Sequence, residues 1–231
     1  GLEDADLVFT STAEGFCGHG SDLIDANGDG VDDAVIGAYA DGSGGFEAGV
    51  VFVKYGPVGG GAVDLKNQAE AKLVGESASA WTGRVVRGAP DLDGDGLGDL
   101  LIAAVGAALG GPSSGAVYVV YGAPTGLMDL ADADGRLVSE APSDYAGAAI
   151  GSGDINGDGL SDVLAGAQSS TYALIAGAAY VVYGPASGDR SLSGADIVVR
   201  GEEDGQLVGG GVGSGEVDGA PGEELLVGAP G

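Results

Sequence analysis

Asp25-Ala26-Asn27-Gly28-Asp29-Gly30-Val31-Asp32-Asp33 sets acidic or amide oxygens at positions 1, 3, 5 and 9 of a nine-residue stretch. The spacing returns as Asp91-Leu92-Asp93-Gly94-Asp95-Gly96-Leu97-Gly98-Asp99 and as Asp154-Ile155-Asn156-Gly157-Asp158-Gly159-Leu160-Ser161-Asp162. Position 7 adds a backbone carbonyl, and the Gly at position 6 lets the chain turn sharply without a Cβ clash. Hard oxygen ligands at this density suit Ca2+, which takes six to eight oxygens in a flexible shell. One such stretch reads equally as a solvated acidic turn. Three in the same register point to calcium.

An EF-hand is excluded, because it needs a bidentate Glu at position 12 and flanking helices. Position 12 is Ile36, Ile102 and Ala165. Short apolar runs follow each loop (Ala34-Val35-Ile36, Leu100-Leu101-Ile102, Val163-Leu164-Ala165), and these read as buried strands. The expected sites are therefore strand–loop–strand calcium sites.

The loops open 66 and then 63 residues apart, and 62 residues further on a degraded copy runs from Glu216 to Glu224. Gly49-Val50-Val51-Phe52-Val53-Lys54-Tyr55-Gly56 keeps the same beat, returning from Gly115 to Gly122 and from Gly177 to Gly184. An apolar residue, one position and then Gly precede each loop: Phe16/Gly18, Trp81/Gly83, Tyr145/Gly147 and Leu207/Gly209. Between the units lie the runs Leu7-Val8-Phe9, Lys72-Leu73-Val74, Arg136-Leu137-Val138 and Asp196-Ile197-Val198-Val199. Each unit thus holds about four short strands and no helical-period segment, the signature of a β-propeller blade. The 49 glycines lack collagen's every-third-residue spacing and fit tight turns between packed strands. The expected fold is all-β, about 3.5–4 blades of four antiparallel strands, with repeats at roughly 11–75, 76–139, 140–201 and an incomplete 202–231.

This pattern resembles the FG-GAP repeat, the blade of the seven-bladed propeller at the head of integrin α subunits and of many bacterial surface proteins. Phe-Gly appears loosely, as Phe16-Cys17, Trp81-Thr82-Gly83, Tyr145-Ala146 and Leu207-Val208, and Gly-Ala-Pro is intact only at Gly228-Ala229-Pro230. The loops and the Gly-Ala-Val-Tyr-Val-type strand match closely over nearly the whole chain. The resemblance implies that each loop joins a blade's innermost strand to the next on the lower rim. It implies calcium ligands Asp25, Asn27, Asp29, the Val31 carbonyl and Asp33 in the first loop. In the second they are Asp91, Asp93, Asp95, the Leu97 carbonyl and Asp99; in the third, Asp154, Asn156, Asp158, the Leu160 carbonyl and Asp162. The fourth loop has Glu216 at position 1, Ala220 at 5 and Gly222 at 7, so a vestigial turn is expected there rather than a fourth tight site. Because a family propeller has seven blades, the chain is expected to be part of a longer polypeptide or to complete its ring by self-association with another copy.

A net charge of −27 argues against nucleic acid and anionic membrane surfaces as partners, and three Ca2+ would still leave about −21. One cysteine rules out an intramolecular disulfide framework. No run is long enough for a transmembrane helix. With no signal peptide or initiator Met, a processed or excised N-terminus is expected. An extracellular or cell-surface, secreted setting follows, with calcium in place of disulfides.

The remaining residues favour structural roles. His19, the single histidine, reads as structural and Cys17 as a small buried hydrophobe. Trp81 and Tyr145 read as core packing. No Ser-His-Asp set stands out, and carboxylates at metal spacing make poor glycosidase acids. Arg84 and Arg87, unusual in so acidic a chain, line a central channel or pair with nearby carboxylates. By the resemblance, a ligand would meet the face opposite the calcium rim: loops Ala40–Ala48, Gly106–Ser114 and Ser169–Ala176, with Ser77–Ala80 and Pro142–Asp144. Phe46 and Tyr172 stand out there. Three readings follow: a non-catalytic adhesion or recognition module for a protein or glycan ligand, a structural subunit of a surface assembly, and an accessory domain of a secreted enzyme.

Overall fold

A computed structural model describes residues 5–11, 15–139, 141–168 and 176–231. Strand β1 (Leu7–Thr10) precedes a first blade of β2 (Cys17–Ile24), β3 (Asp33–Ala38), β4 (Val50–Lys54), β5 (Gly61–Asp64) and β6 (Ala71–Val74). The second has β7 (Thr82–Ala89), β8 (Asp99–Ala104), β9 (Ala116–Val120), β10 (Gly126–Asp129) and β11 (Gly135–Val138). The third has β12 (Ala149–Gly153), β13 (Asp162–Ala167), β14 (Ala178–Val182), β15 (Gly188–Ser191) and β16 (Ile197–Arg200), and β17 (Gly211–Gly215) and β18 (Glu224–Gly228) follow.

Within a blade the order runs outward as an antiparallel meander: β2-β3-β4-β6, β7-β8-β9-β11 and β12-β13-β14-β16. The second and third strands carry apolar residues on both faces, and every residue of β3, β8 and β13 is buried. Side chains alternate across a strand, which lets one strand serve two interfaces. Leu100 and Ile102 pack with Val35, Val51 and Leu73 of the first blade. Their neighbours Leu101 and Ala103 pack with Val163, Ala165 and Tyr180 of the third. The core is therefore a series of blade–blade seams, each burying side chains worth about 1.5–3 kcal/mol apiece. The first strands β2, β7, β12 and β17 lie successively side by side at the hub.

Two features differ from the expected four-stranded blade. A fifth strand in each repeat leaves its own blade and pairs in parallel with the outer strand before it: β5 on β1, β10 on β6 and β15 on β11. A single helical turn follows each: α1 (Leu65–Gln68), then 3-10 turns at Leu130–Asp132 and Leu192–Gly194. Asp64, Asp129 and Ser191 cap these turns through their side chains. Each turn buries one leucine, Leu65, Leu130 or Leu192. Leu7-Val8-Phe9 is an outer strand, as expected, and β5 covers one of its edges.

Candidate metal centres

The three nine-residue stretches join the first strand of each blade to the second, β2 to β3, β7 to β8 and β12 to β13. Their side-chain oxygens shape the loops by the same hydrogen bonds. At position 1, Asp25 Oδ1 accepts the Gly28 N–H at 2.8 Å and Oδ2 the Gly30 N–H at 2.8 Å. Asp91 accepts from Gly94 and Gly96 at 2.6 and 3.1 Å, and Asp154 from Gly157 and Gly159 at 2.7 and 2.9 Å. Positions 3 and 5 each accept the N–H two residues on: Asn27 from Asp29, Asp29 from Val31, Asp93 from Asp95, Asp95 from Leu97, Asn156 from Asp158, and Asp158 from Leu160. These are Asx turns, and they fix the side chains at positions 3 and 5 against the loop backbone.

Position 9 is fully buried in all three loops. Asp33 accepts from Ala26 at 3.0 Å and from Gly56 at 2.8 Å. Asp99 accepts from Leu92 and Gly122 at 2.6 and 2.7 Å, and Asp162 from Ile155 and Gly184 at 2.8 and 3.0 Å. Each thus ties its loop to the end of the blade's third strand. Burial pushes the Asp99 carboxyl up to about 6, against the pull of those hydrogen bonds and with Asp93 and Asp95 adding to the rise. Burial also raises Asp33 and Asp162. A carboxylate held out of water beside other carboxylates is an environment that a cation relieves.

The donor set fits a hard divalent cation. In the second loop Asp91, Asp93 and Asp99 each present an oxygen within 4.8 Å of the others, and Asp95 lies outside that trio. Loops one and three place an amide oxygen, Asn27 or Asn156, at position 3. The fourth stretch, expected as a vestigial turn, keeps more of the arrangement than its sequence suggests. Glu216, Asp218 and Glu224 bring oxygens within 4.8 Å of one another, and Ala220 is the missing position. Glu224 accepts the Val217 N–H at 2.7 Å, as position 9 does elsewhere.

The loops are also chained to one another, which their spacing in sequence does not reveal. The position-8 N–H of each donates to the position-1 carbonyl of the loop before: Gly98 to Asp25 at 3.0 Å, Ser161 to Asp91 at 2.7 Å and Glu223 to Asp154 at 2.6 Å.

Away from this rim, the apolar residue of each apolar-x-Gly step adopts the left-handed backbone region: Phe16, Trp81, Tyr145 and Leu207 have φ of 51, 53, 53 and 52°. Trp81 packs partly buried against the seam of blades two and three and donates its indole N–H to Glu47 at 3.0 Å. Tyr145 is half-buried at the edge of a hub cavity. Cys17 is half-buried against the first blade's core, and burial raises its thiol pKa. His19 sits edge-on to Tyr39, its Nδ1 3.0 Å from the Arg84 carbonyl. Arg84 and Arg87 line the hub, and among the described residues neither forms an ion pair. Phe46 is exposed; Tyr172 and all but the last residue of Ser169–Ala176 lie outside the described residues.

Comparison with known proteins agrees with this geometry. Residues 146–182 match the family model of the FG-GAP repeat, a span that takes in the third loop and β12 to β14. The chain is 39% identical over 116 residues to a phosphatidylinositol-glycan-specific phospholipase D of Rattus norvegicus, covering 47% of this chain and 14% of that protein. It is 39% identical over 111 residues to the Bos taurus protein of that name (45% and 13%) and 38% over 112 residues to the Homo sapiens one (45% and 13%). The chain therefore spans only about one seventh of the length of these relatives. Residues 146–182 thus match an FG-GAP repeat, and the chain as a whole is all-β, built of propeller-like blades of antiparallel strands.

Proposed function

We propose that this chain is a calcium-stabilised propeller module that serves recognition rather than catalysis, in an extracellular setting. The observation that supports it is the threefold recurrence of one oxygen-lined loop, with buried Asp33, Asp99 and Asp162 tying each loop to its blade. Asp25, Asn27, Asp29, Asp33 and the Val31 carbonyl would hold the first ion, with their counterparts holding the second and third. A bound Ca2+ supplies charge compensation for oxygens drawn close together. The residues themselves set the loop by Asx turns and fix where the two innermost strands meet.

At ~1 mM Ca2+ and a Kd near ~10⁻⁴ M, one site adds about 1.5 kcal/mol by mass action, and three add ~4–5 kcal/mol. That rivals the net stability of many domains. Equilibrium dialysis against Ca2+ tests the reading: about three ions per chain are expected, with a large fall in Tm on chelation. A melt that chelator leaves unchanged would refute it.

The matched phospholipase D proteins support a second reading, that the module is an accessory part of a larger secreted enzyme. Activity of a longer form that survives loop substitutions, while its stability or targeting changes, would favour that role.

A further inference from the structure

The hub is asymmetric in a way that its repeats make easy to read. The residue after the Gly of each apolar-x-Gly step is His19, Arg84, Ala148 and Gly210 in successive units. Three residues further along, the series is Asp22, Arg87, Gly151 and Gly213. Of the polar residues in these series, His19, Arg84 and Arg87 line the hub, whereas the third and fourth units have only Ala or Gly at the same positions. The result is a recess of about 400 Å³ whose lining includes His19, Arg84, Arg87, Ala149 and Gly211, continuous through His19 and Arg84 with a second recess bordered by Tyr145 and Gln168.

The cations are held facing this space. His19 and Arg84 both fall where β2 and β7 slip register against their partners, between Cys17 and Ser21 and between Thr82 and Val86. Such irregularities re-aim side chains. The Arg84 guanidinium lies 5.9 Å over the Trp81 ring, and Arg87 Nη1 donates to the Val86 carbonyl at 2.9 Å. Neither contact neutralises its charge. The acidic neighbour, Asp22, already accepts the N–H groups of Leu23 and Gly88, each at 3.0 Å. Two guanidinium groups with no ion-pair partner among the described residues, in a chain of net charge −27, mark a local reversal of field. At physiological salt the surrounding acidity is screened beyond ~8 Å, so the arginines govern what enters.

We infer that the hub binds a small molecule bearing an oxyanion, which Arg84 and Arg87 grip and the space beside Ala148 and Gly210 accommodates. The guanidinium fork matches carboxylate and tetrahedral oxyanions alike, and the recess has the size of a small-ligand site. This goes beyond the calcium reading and does not depend on it.

The test follows the Nε–H signals of 15N-arginine-labelled protein in calcium-containing buffer during titration with sulfate or glucuronate, with glucose as the neutral control. Saturable shifts of Arg84 and Arg87 are expected with the anions and none with glucose. Stronger binding of glucuronate assigns a sugar acid, and stronger binding of sulfate assigns a sulfated or phosphorylated ligand. Ala148→Glu, which fills the space opposite and leaves both arginines in place, is expected to weaken binding ~10-fold or more. Arg84→Ala/Arg87→Ala is expected to abolish it. Calcium stoichiometry and Tm on the same samples separate a failed fold from a failed site. Absence of saturable shifts in the native chain, or binding unchanged in Ala148→Glu, overturns the inference.

Discussion

Gly37 of the first blade lies directly against the carbonyl of Gly83 in the second, so close that a Cβ on Gly37 would fall inside the van der Waals radius of that oxygen. Gly166 stands in the same relation to Gly209. In the intervening seam the side chain is present, as Ala103, and its partner Gly147 has φ of +89°. A Cβ on Gly147 would meet the Ala103 Cβ at 2.9 Å. The blades thus meet backbone to backbone near the hub. Gly37→Ala forces that seam apart and is expected to destabilise by about 1–3 kcal/mol or more. Gly213→Ala on β17, where nothing lies within 4 Å, is expected to be close to neutral. Urea denaturation of the two variants checks the contrast.

Asp95→Ala removes one oxygen from the second loop and its hydrogen bond to the Leu97 N–H. Calcium stoichiometry is expected to fall by one, with a loss of about 1.5 kcal/mol at ~1 mM Ca2+. In the native chain this loop, with Asp93 where the other two have Asn27 and Asn156, carries one more carboxylate at positions 1, 3, 5 and 9 than either of them, and ligand charge raises affinity. It is expected to be the last to empty as chelator is added, a sequence that isothermal titration resolves.

Arg136 joins two blades on the outer side. It pairs with Asp189 at 2.6 Å and with Glu76 at 2.9 Å, and Glu76 in turn accepts the Tyr118 hydroxyl at 2.7 Å. Asp189 is largely exposed, so little is expected from that pair alone. Glu76 is mostly buried, and Arg136→Ala would strand its charge at a cost of about 1–3 kcal/mol. Adding Glu76→Gln is expected to recover part of the loss, and a double-mutant cycle measures how much.

Burial raises the Cys17 thiol above its ordinary pKa. Since the thiolate is the reactive form, alkylation by iodoacetamide at pH 8 is expected to be slower than for a free cysteine. The rate should still be climbing above pH 9, whereas unfolded protein levels off earlier. A plateau near pH 8 in the native chain would contradict this.

The oxygen-rich loops and their shared shape were legible in sequence because all of their side-chain oxygens lie within nine residues of one another. So were the buried strands, whose unbroken apolar runs at β3, β8 and β13 reflect cover on both faces. What escaped were relationships between distant residues. The second role of Asp33, Asp99 and Asp162 depends on Gly56, Gly122 and Gly184, each more than twenty residues away. The strands β5, β10 and β15 are four residues long and largely exposed, so no apolar pattern announces them. Their partners belong to the preceding unit. The recurring Phe16, Trp81, Tyr145 and Leu207 were visible as a beat, but their left-handed backbone was not. Local chemistry disfavours it for bulky residues, and only the seams impose it.

Gly126–Asp129 belongs by sequence to the second repeat and by hydrogen bonding to the sheet of the first. The period printed in the chain and the body that stands as one piece are therefore out of phase. Anyone shuffling or excising a unit at the apparent boundaries leaves a raw edge on one fragment and a homeless ribbon on the other. A cut that respects the pairing has to carry Gly126–Asp129 along with the blade before it.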